Sequence, residues 1–192
     1  MLIENTLDAT FHHGRLASHR HTSRCLLRPA ELDDYAALEA AVSNPEFPQD
    51  LLLARMHREA SLLPWLEKLC SSPETKLWSI TERASLKCIG QVALVPGSLS
   101  SEWWLSYWLA PEHWGKGLAR EAVGGLLAHA FAQPQYAEVN AAVAESNHRS
   151  LTLLLALGFV QSQPTAGDFH VPEGHVSYKL VRGPISGELG VA

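Results

Sequence analysis

The sequence predicts a single domain of mixed α/β fold, and three observations carry that expectation. Apolar, β-branched and aromatic runs come first as strands separated by short turns, and then alternate with helical periods. Hydrophobic residues make up 46% of the 192 and charged residues 18%, enough to bury one substantial core without the composition of a disordered chain. The length itself favours one domain over two.

Taken in order, residues 1–22 carry His12, His13, His19 and His21 with no sustained apolar period. They read as an arm or leader, so that the chain divides into an arm at 1–23, a domain at 24–182 and a tail at 183–192. Loosely spaced histidines without other donors make a poor metal site, and no metal is expected. "CLLRP" (25–29) is a short strand stopped by Pro29. The acidic start of "ELDDYAALEAAV" suits a helix N-terminus, with Leu32, Tyr35, Leu38 and Val42 on one face. A second helical region spans roughly 49–70 and breaks near Pro64. "KLWSITE" (76–82) and "LKCIGQVALVP" (86–96) form a hairpin over a three-residue connection, followed by a strand at "EWWLSYWLA" (102–110). A helix at 117–131, a strand at 137–145, a helix at 147–157 closed by Gly158 and a strand at 175–182 complete the order.

Charge and cysteine content narrow the partners. A net charge of -5 argues against general affinity for nucleic-acid phosphates or an anionic membrane surface. Cys25, Cys70 and Cys88 are odd in number, far apart and without CxxC spacing, which suits reduced thiols. No apolar run reaches transmembrane length and no signal-peptide pattern opens the chain, so the expected location is the cytoplasm. A homodimer is left open.

The stretch "WLAPEHWGKGLAREAV" (108–123) asks for a particular explanation. A strand end, a proline turn and then Gly115 and Gly117 before a helix expose consecutive backbone N–H groups at a positive helix end. An anion such as a phosphate fits there, and a Cβ would hold it off. The bland alternative is a tight structural turn. Neither GxxxxGK[ST] nor a full GxGxxG pattern is present.

"YWLAPEHWGKGLAREAV", followed about 30 residues later by "NHRSLTLLLALGFV", resembles the GNAT superfamily of acetyl-CoA-dependent N-acetyltransferases, in particular its ribosomal-protein N-acetyltransferase-like branch. The resemblance covers roughly residues 24–182. It implies a mostly antiparallel central sheet, splayed in the middle and flanked by helices, with acetyl-CoA in the split. It implies that Trp114, Gly115, Lys116, Gly117, Leu118 and Ala119 wrap the diphosphate, and that Trp108, Leu109 and Ala110 pair with the pantetheine arm. It also implies that Asn147 contacts the cofactor and that Ser150 assists the departing thiolate. By their own chemistry, Asn147 is equally a helix cap and Ser150 a helix-start hydrogen-bonder.

The sequence departs from that pattern at three places. Trp114 stands where Gln or Arg is usual. Leu154 replaces the tyrosine that many relatives carry seven residues after the asparagine, which excludes a phenolic acid at that position. Trp104 replaces a glutamate, leaving Glu102 as the nearest carboxylate on the same strand face.

Acetyl transfer to an amine needs a neutral amine, a polarised carbonyl and protonation of a thiolate whose ordinary pKa is about 8.5. No covalent enzyme intermediate is required. Glu102, directly or through water, is the candidate base, against the plainer reading of a solvated carboxylate; His113, His148, His170 and His175 are further candidates. Trp103, Trp104 and Trp108 supply core area, or, for Trp104, a wall for the substrate. The expected activity is transfer from acetyl-CoA to a primary amine, on a small molecule or a protein N-terminus. The alternative is a module that holds CoA without turnover, kept open by the residues at 104 and 154.

Overall fold

The computed structural model describes residues 20–72, 76–97, 102–163, 171 and 173–183. His12, His13, His19 and His170, like the arm up to residue 19 and the tail from 184, lie outside the described residues. Among the described residues eight strands form one sheet: β1 (Arg20–His21), β2 (Cys25–Pro29), β3 (Lys76–Glu82), β4 (Cys88–Pro96), β5 (Trp103–Leu109), β6 (Glu138–Ala144), β7 (Val160–Ser162) and β8 (His175–Val181). The helices are α1 (Tyr35–Ser43), α2 (Leu52–Arg58), α3 (Leu62–Ser71), α4 (Leu118–Phe131) and α5 (His148–Ala156). Strand order across the sheet is β1-β2-β3-β4-β5-β6-β8-β7.

Every neighbouring pair is antiparallel except β5 and β6, which run parallel and register at the single position Trp104↔Asn140. Beyond that point the two strands part toward their C-terminal ends. The sheet is therefore mixed, mostly antiparallel and splayed in the middle, as the sequence led us to expect. The helices that follow the two parting strands, α4 and α5, begin at the open end of the gap.

β4 is buried along most of its length because both faces are covered. One core holds Leu27, Ile80, Val92 and Leu94 of the sheet with Leu118, Val123 and Leu126 of α4 and Leu154 of α5. A second joins Leu38 and Val42 of α1, Ala54 of α2 and Leu62 of α3 to Trp108 and Ala110. β4 and β5 approach closely at Gly90, where a Cβ would sit 2.4 Å from the Trp108 carbonyl oxygen; only glycine fits there.

Local expectations held for β3, whose bounds match, and for α4, whose start shifts by one residue. Several others need correction. Leu32 is exposed and Ala41 fills the α1 face, because Leu32–Asp34 is a short 3₁₀ turn that rotates the chain before the helix proper. The break in the second helical region falls at Ala60, with φ 54, and not at Pro64. Pro64 sits in the first turn of α3, where an N–H has no intrahelical acceptor to lose. The β3–β4 connection is five residues, 83–87, since the hairpin carries a register shift at Ile80/Thr81. β1, within the stretch read as an arm, pairs with β2, and β7 was unforeseen. Cys25, Cys70 and Cys88 are free thiols, each pushed upward in pKa by burial, Cys88 to about 11. Thiols held protonated in this way are poor nucleophiles.

Candidate functional site

The open end of the β5/β6 gap gathers most of the residues singled out in the sequence. On the β5 side, Pro111–His113 forms a 3₁₀ turn and residues 114–117 lead into α4. Gly115 and Gly117 have φ 72 and 74, so both take the left-handed conformation that glycine adopts without strain. Gly117 is the N-cap residue of α4, and the Glu121 N–H makes the helical bond to its carbonyl. The N–H groups of Leu118, Ala119 and Arg120 precede that bond and have no acceptor within the helix. A Cβ built on Gly115 would meet no protein atom within 4 Å, so the space beside this residue is open. Curled backbone, helix-end donors and open space together fit a diphosphate.

The loop is held from behind by Arg24. Its guanidinium donates to the Lys116 carbonyl at 2.7 Å and pairs with Glu121 at 2.8 Å, while the Arg24 N–H and the Thr22 hydroxyl also donate to Glu121. Burial alone would raise the Glu121 carboxyl, but the hydrogen bonds from Thr22 and Arg24 outweigh it and hold the pKa at about 2.

Trp114 explains itself once the loop is seen in space. Its indole N–H donates to the Leu109 carbonyl at 2.7 Å, tying the loop to the strand end. The guanidinium carbon of Arg149 lies 4.7 Å from the Trp114 ring centroid. Arg149, within the quoted "NHRS" but passed over there, thus brings a cation from α5 to the loop position where the sequence lacks one.

β5 presents two different edges. The Ala110 N–H donates to the Ile89 carbonyl, which fixes the even-numbered residues as those bonded to β4. Leu105, Tyr107 and Leu109 therefore turn their peptide groups toward the gap. Of Trp108, Leu109 and Ala110, Leu109 is the one whose backbone is oriented for an added strand. The Trp108 side chain is buried on the opposite face, its indole donating to Gln91 Oε1 at 3.1 Å.

On the β6 side, Asn147 is the N-cap of α5 and its Oδ1 accepts from the Ser150 N–H at 3.1 Å. Ser150 Oγ is 2.6 Å from the Tyr107 hydroxyl, a contact that spans from β5 to the helix following β6. Burial pushes the Tyr107 phenol up to about 12, only partly offset by the Ser150 contact. Leu154, at the position where many relatives carry a tyrosine, is 0% exposed in the core; the phenol near Ser150 comes instead from β5. Strand alternation puts Tyr107 on the face opposite Trp104 and Trp108, a signal the sequence carries but one that does not single it out.

Glu102 and Trp104 are not part of this gathering. They are 7% and 6% exposed, and the Trp104 indole donates to Glu102 Oε1 at 2.9 Å. Glu102 is thus a buried, bonded carboxylate and not a solvated one. It lies five residues before Tyr107, roughly 16 Å of extended chain, at the end where β5 and β6 still pair. A cavity of about 540 Å³ opens between Pro48, Asp50 and Leu51 on one side and residues 146–149 on the other, placing His148 on its wall. His113 lies in the turn before the loop and His175 opens β8. Among the described residues no three His, Cys, Asp or Glu side chains come together as a metal site, and no helix is long and apolar enough to cross a membrane.

Residues 24–160 match the family model for the acetyltransferase (GNAT) domain. The chain belongs to the GNAT acetyltransferase family. A GNAT relative at sequence level is the uncharacterized N-acetyltransferase YoaA of Bacillus subtilis (strain 168), 27% identical over 144 residues, 72% of this chain and 80% of that protein. Among solved structures, the microcin C7 self-immunity acetyltransferase MccE, in complex with acetyl-CoA and AMP, superposes with a TM-score of 0.67 at 15% identity, over 83% of this chain and 93% of that one. The ribosomal-protein-S5-alanine acetyltransferase of Vibrio fischeri gives a TM-score of 0.63 at 18% identity, over 86% and 97%. At these identities the likeness is one of fold. Acetyl-CoA is the family's acetyl donor, and the GNAT loop and gap described above have the shape and donors to receive it.

Proposed function

We propose that this GNAT protein is an acetyl-CoA-dependent N-acetyltransferase of the cytoplasm, akin to the ribosomal-protein N-acetyltransferase branch. It transfers the acetyl group directly to a primary amine on a small molecule or a protein N-terminus. The observation that carries the reading is the meeting, at the open end of the β5/β6 gap, of the 114–119 loop from one side with Asn147 and Ser150 from the other.

Acetyl-CoA, when bound, supplies an activated thioester. Residues 115–119 hold the diphosphate by backbone N–H groups, with Lys116 and Arg149 adding positive charge. Leu109 offers its N–H to the pantetheine arm, its carbonyl being held by the Trp114 indole. Asn147 fixes the start of α5, and through it Ser150. The Ser150 hydroxyl then gives a hydrogen bond to the sulfur as charge grows on it, a contact worth more in the transition state than before it. Glu102 has no direct part, since its carboxylate is buried against Trp104; the ammonium proton leaves through water. Trp104 likewise serves packing more than the substrate wall.

Release of free thiol from acetyl-CoA, measured with a panel of amines and N-terminal peptides, tests the reading. Thiol release above background with one or more acceptors is expected, with the acetylated amine found in equal amount. A panel without turnover, by folded protein that binds acetyl-CoA, would instead support a module that holds the cofactor without using it.

A further inference from the structure

Either hydroxyl of the Tyr107–Ser150 contact could donate on distance alone, and the surroundings favour the phenol. Tyr107 is the larger partner, partly buried and packed against the core that β5 shares with α4. Among the described residues its hydroxyl has one partner, Ser150 Oγ at 2.6 Å. Were Ser150 the donor, the phenolic proton, on a ring packed against the core, would have no acceptor among the described residues. With the phenol as donor, both groups are served. The serine proton is then free to point elsewhere.

Ser150 also declines the usual helical alternative. Thr152, two residues on, donates its hydroxyl to the His148 carbonyl at 2.8 Å, the common back-bond of a helical hydroxyl. Ser150 makes no such bond among the described residues; its N–H is tied to Asn147 Oδ1 and its Oγ to Tyr107. Two fixed contacts set the hydroxyl's place and leave it one unspent proton.

Resting on the reading of Ser150 given above, we propose that Tyr107 is a positioning residue: its phenol donates to Ser150 Oγ and so directs the serine's own proton toward the leaving sulfur. No proton passes from the tyrosine. It orients the serine and polarises its O–H, as chained hydrogen bonds do. This gives the chain a phenol at the reacting end without one on α5.

The test is a double-mutant cycle with Tyr107→Phe, Ser150→Ala and the pair, each shown folded by circular dichroism. Phenylalanine fills the same apolar space. Turnover with the best acceptor is expected to fall about tenfold in either single variant, with the KM for acetyl-CoA within about twofold. The pair should be no slower than Ser150→Ala alone. A second reading needs no acceptor: the thiol of bound CoA, titrated by the ultraviolet absorbance of its thiolate, is expected to ionise about one pH unit higher in both single variants. If Ser150→Ala is slow and shifts the titration while Tyr107→Phe does neither, the positioning role is overturned and the serine's role stands. Independent, multiplying losses would also overturn it. If Ser150→Ala changes nothing, the serine's role fails and this inference with it.

Discussion

Replacing Gly115 by aspartate is expected to lower acetyl-CoA affinity about a hundredfold while the chain stays folded. That factor corresponds to about 2.8 kcal/mol of binding. The position is open, with nothing within 4 Å of a built Cβ, so no clash with the protein opposes the change. Its φ of 72 is one that Asp and Asn tolerate better than other side chains, at a cost of about 1 kcal/mol. A carboxylate there enters the space the diphosphate needs and repels it. Gly115→Asn is the matched control, with the same backbone demand and no charge, and it should retain part of the affinity that aspartate loses. Gly117 is a poorer probe, because Arg24 Nη2 stands 3.5 Å from its Cβ position and would neutralise an introduced carboxylate. Calorimetric titration of both variants decides the matter. Wild-type affinity in Gly115→Asp would remove the loop from the cofactor site.

Asp34→Ala is expected to destabilise the fold by about 3–5 kcal/mol, lowering the melting temperature on the order of 10 °C. Asp34 is one end of a buried polar chain. Arg28 donates to both of its oxygens, at 2.9 and 2.5 Å; Ser79 donates to it at 2.6 Å, Gln91 to Ser79 at 3.4 Å, and the Trp108 indole to Gln91 at 3.1 Å. The Asp34 side chain is 3% exposed and that of Arg28 21%, so alanine strands a largely desolvated guanidinium. Arg28→Met together with Asp34→Leu should recover most of the loss, since removing both partners leaves no uncompensated charge. Equal instability in the single and double variants would show that shape, not charge pairing, governs this corner.

The same carboxylate sets an acid limb. Burial would raise the Asp34 pKa, but hydrogen bonds from Arg28, Ser79 and the Glu31 N–H outweigh it and hold the group below its ordinary 3.8. Its contribution is therefore complete above that ordinary value and is lost as pH falls through the lower, folded-state value. Glu121 behaves likewise between 4.5 and about 2.

What the sequence revealed and what it concealed differ by the range of the interactions involved. The 114–123 stretch was legible because its glycines, proline turn and helix start are neighbours in the chain and act through adjacent backbone. α4 and β3 were legible because their periods are unbroken. Asp34 was not. Beside Asp33 it reads as an acidic first turn, whereas its partners Arg28 and Ser79 come from two strands of the sheet. Tyr107 was hidden among Trp103, Trp104 and Trp108, since its meaning depends on Ser150, 43 residues later and reached only by the splay of β5 from β6. The surroundings of Glu102, the candidate base, were hidden for the converse reason. Its burial comes from the fold around Trp104, and no charge pattern in the chain announces it.

Melting the protein with and without acetyl-CoA tests most directly the claim that the gap between β5 and β6 is built for that donor. At about 100 times its dissociation constant a ligand adds about 2.7 kcal/mol to the folded state. For a domain of this size the melting temperature should rise by about 5–10 °C, and ADP-ribose, which lacks the pantetheine arm that β5 receives, should do much less. A melting curve unmoved by saturating acetyl-CoA, in protein shown to be folded and free of carried-over cofactor, would contradict the account.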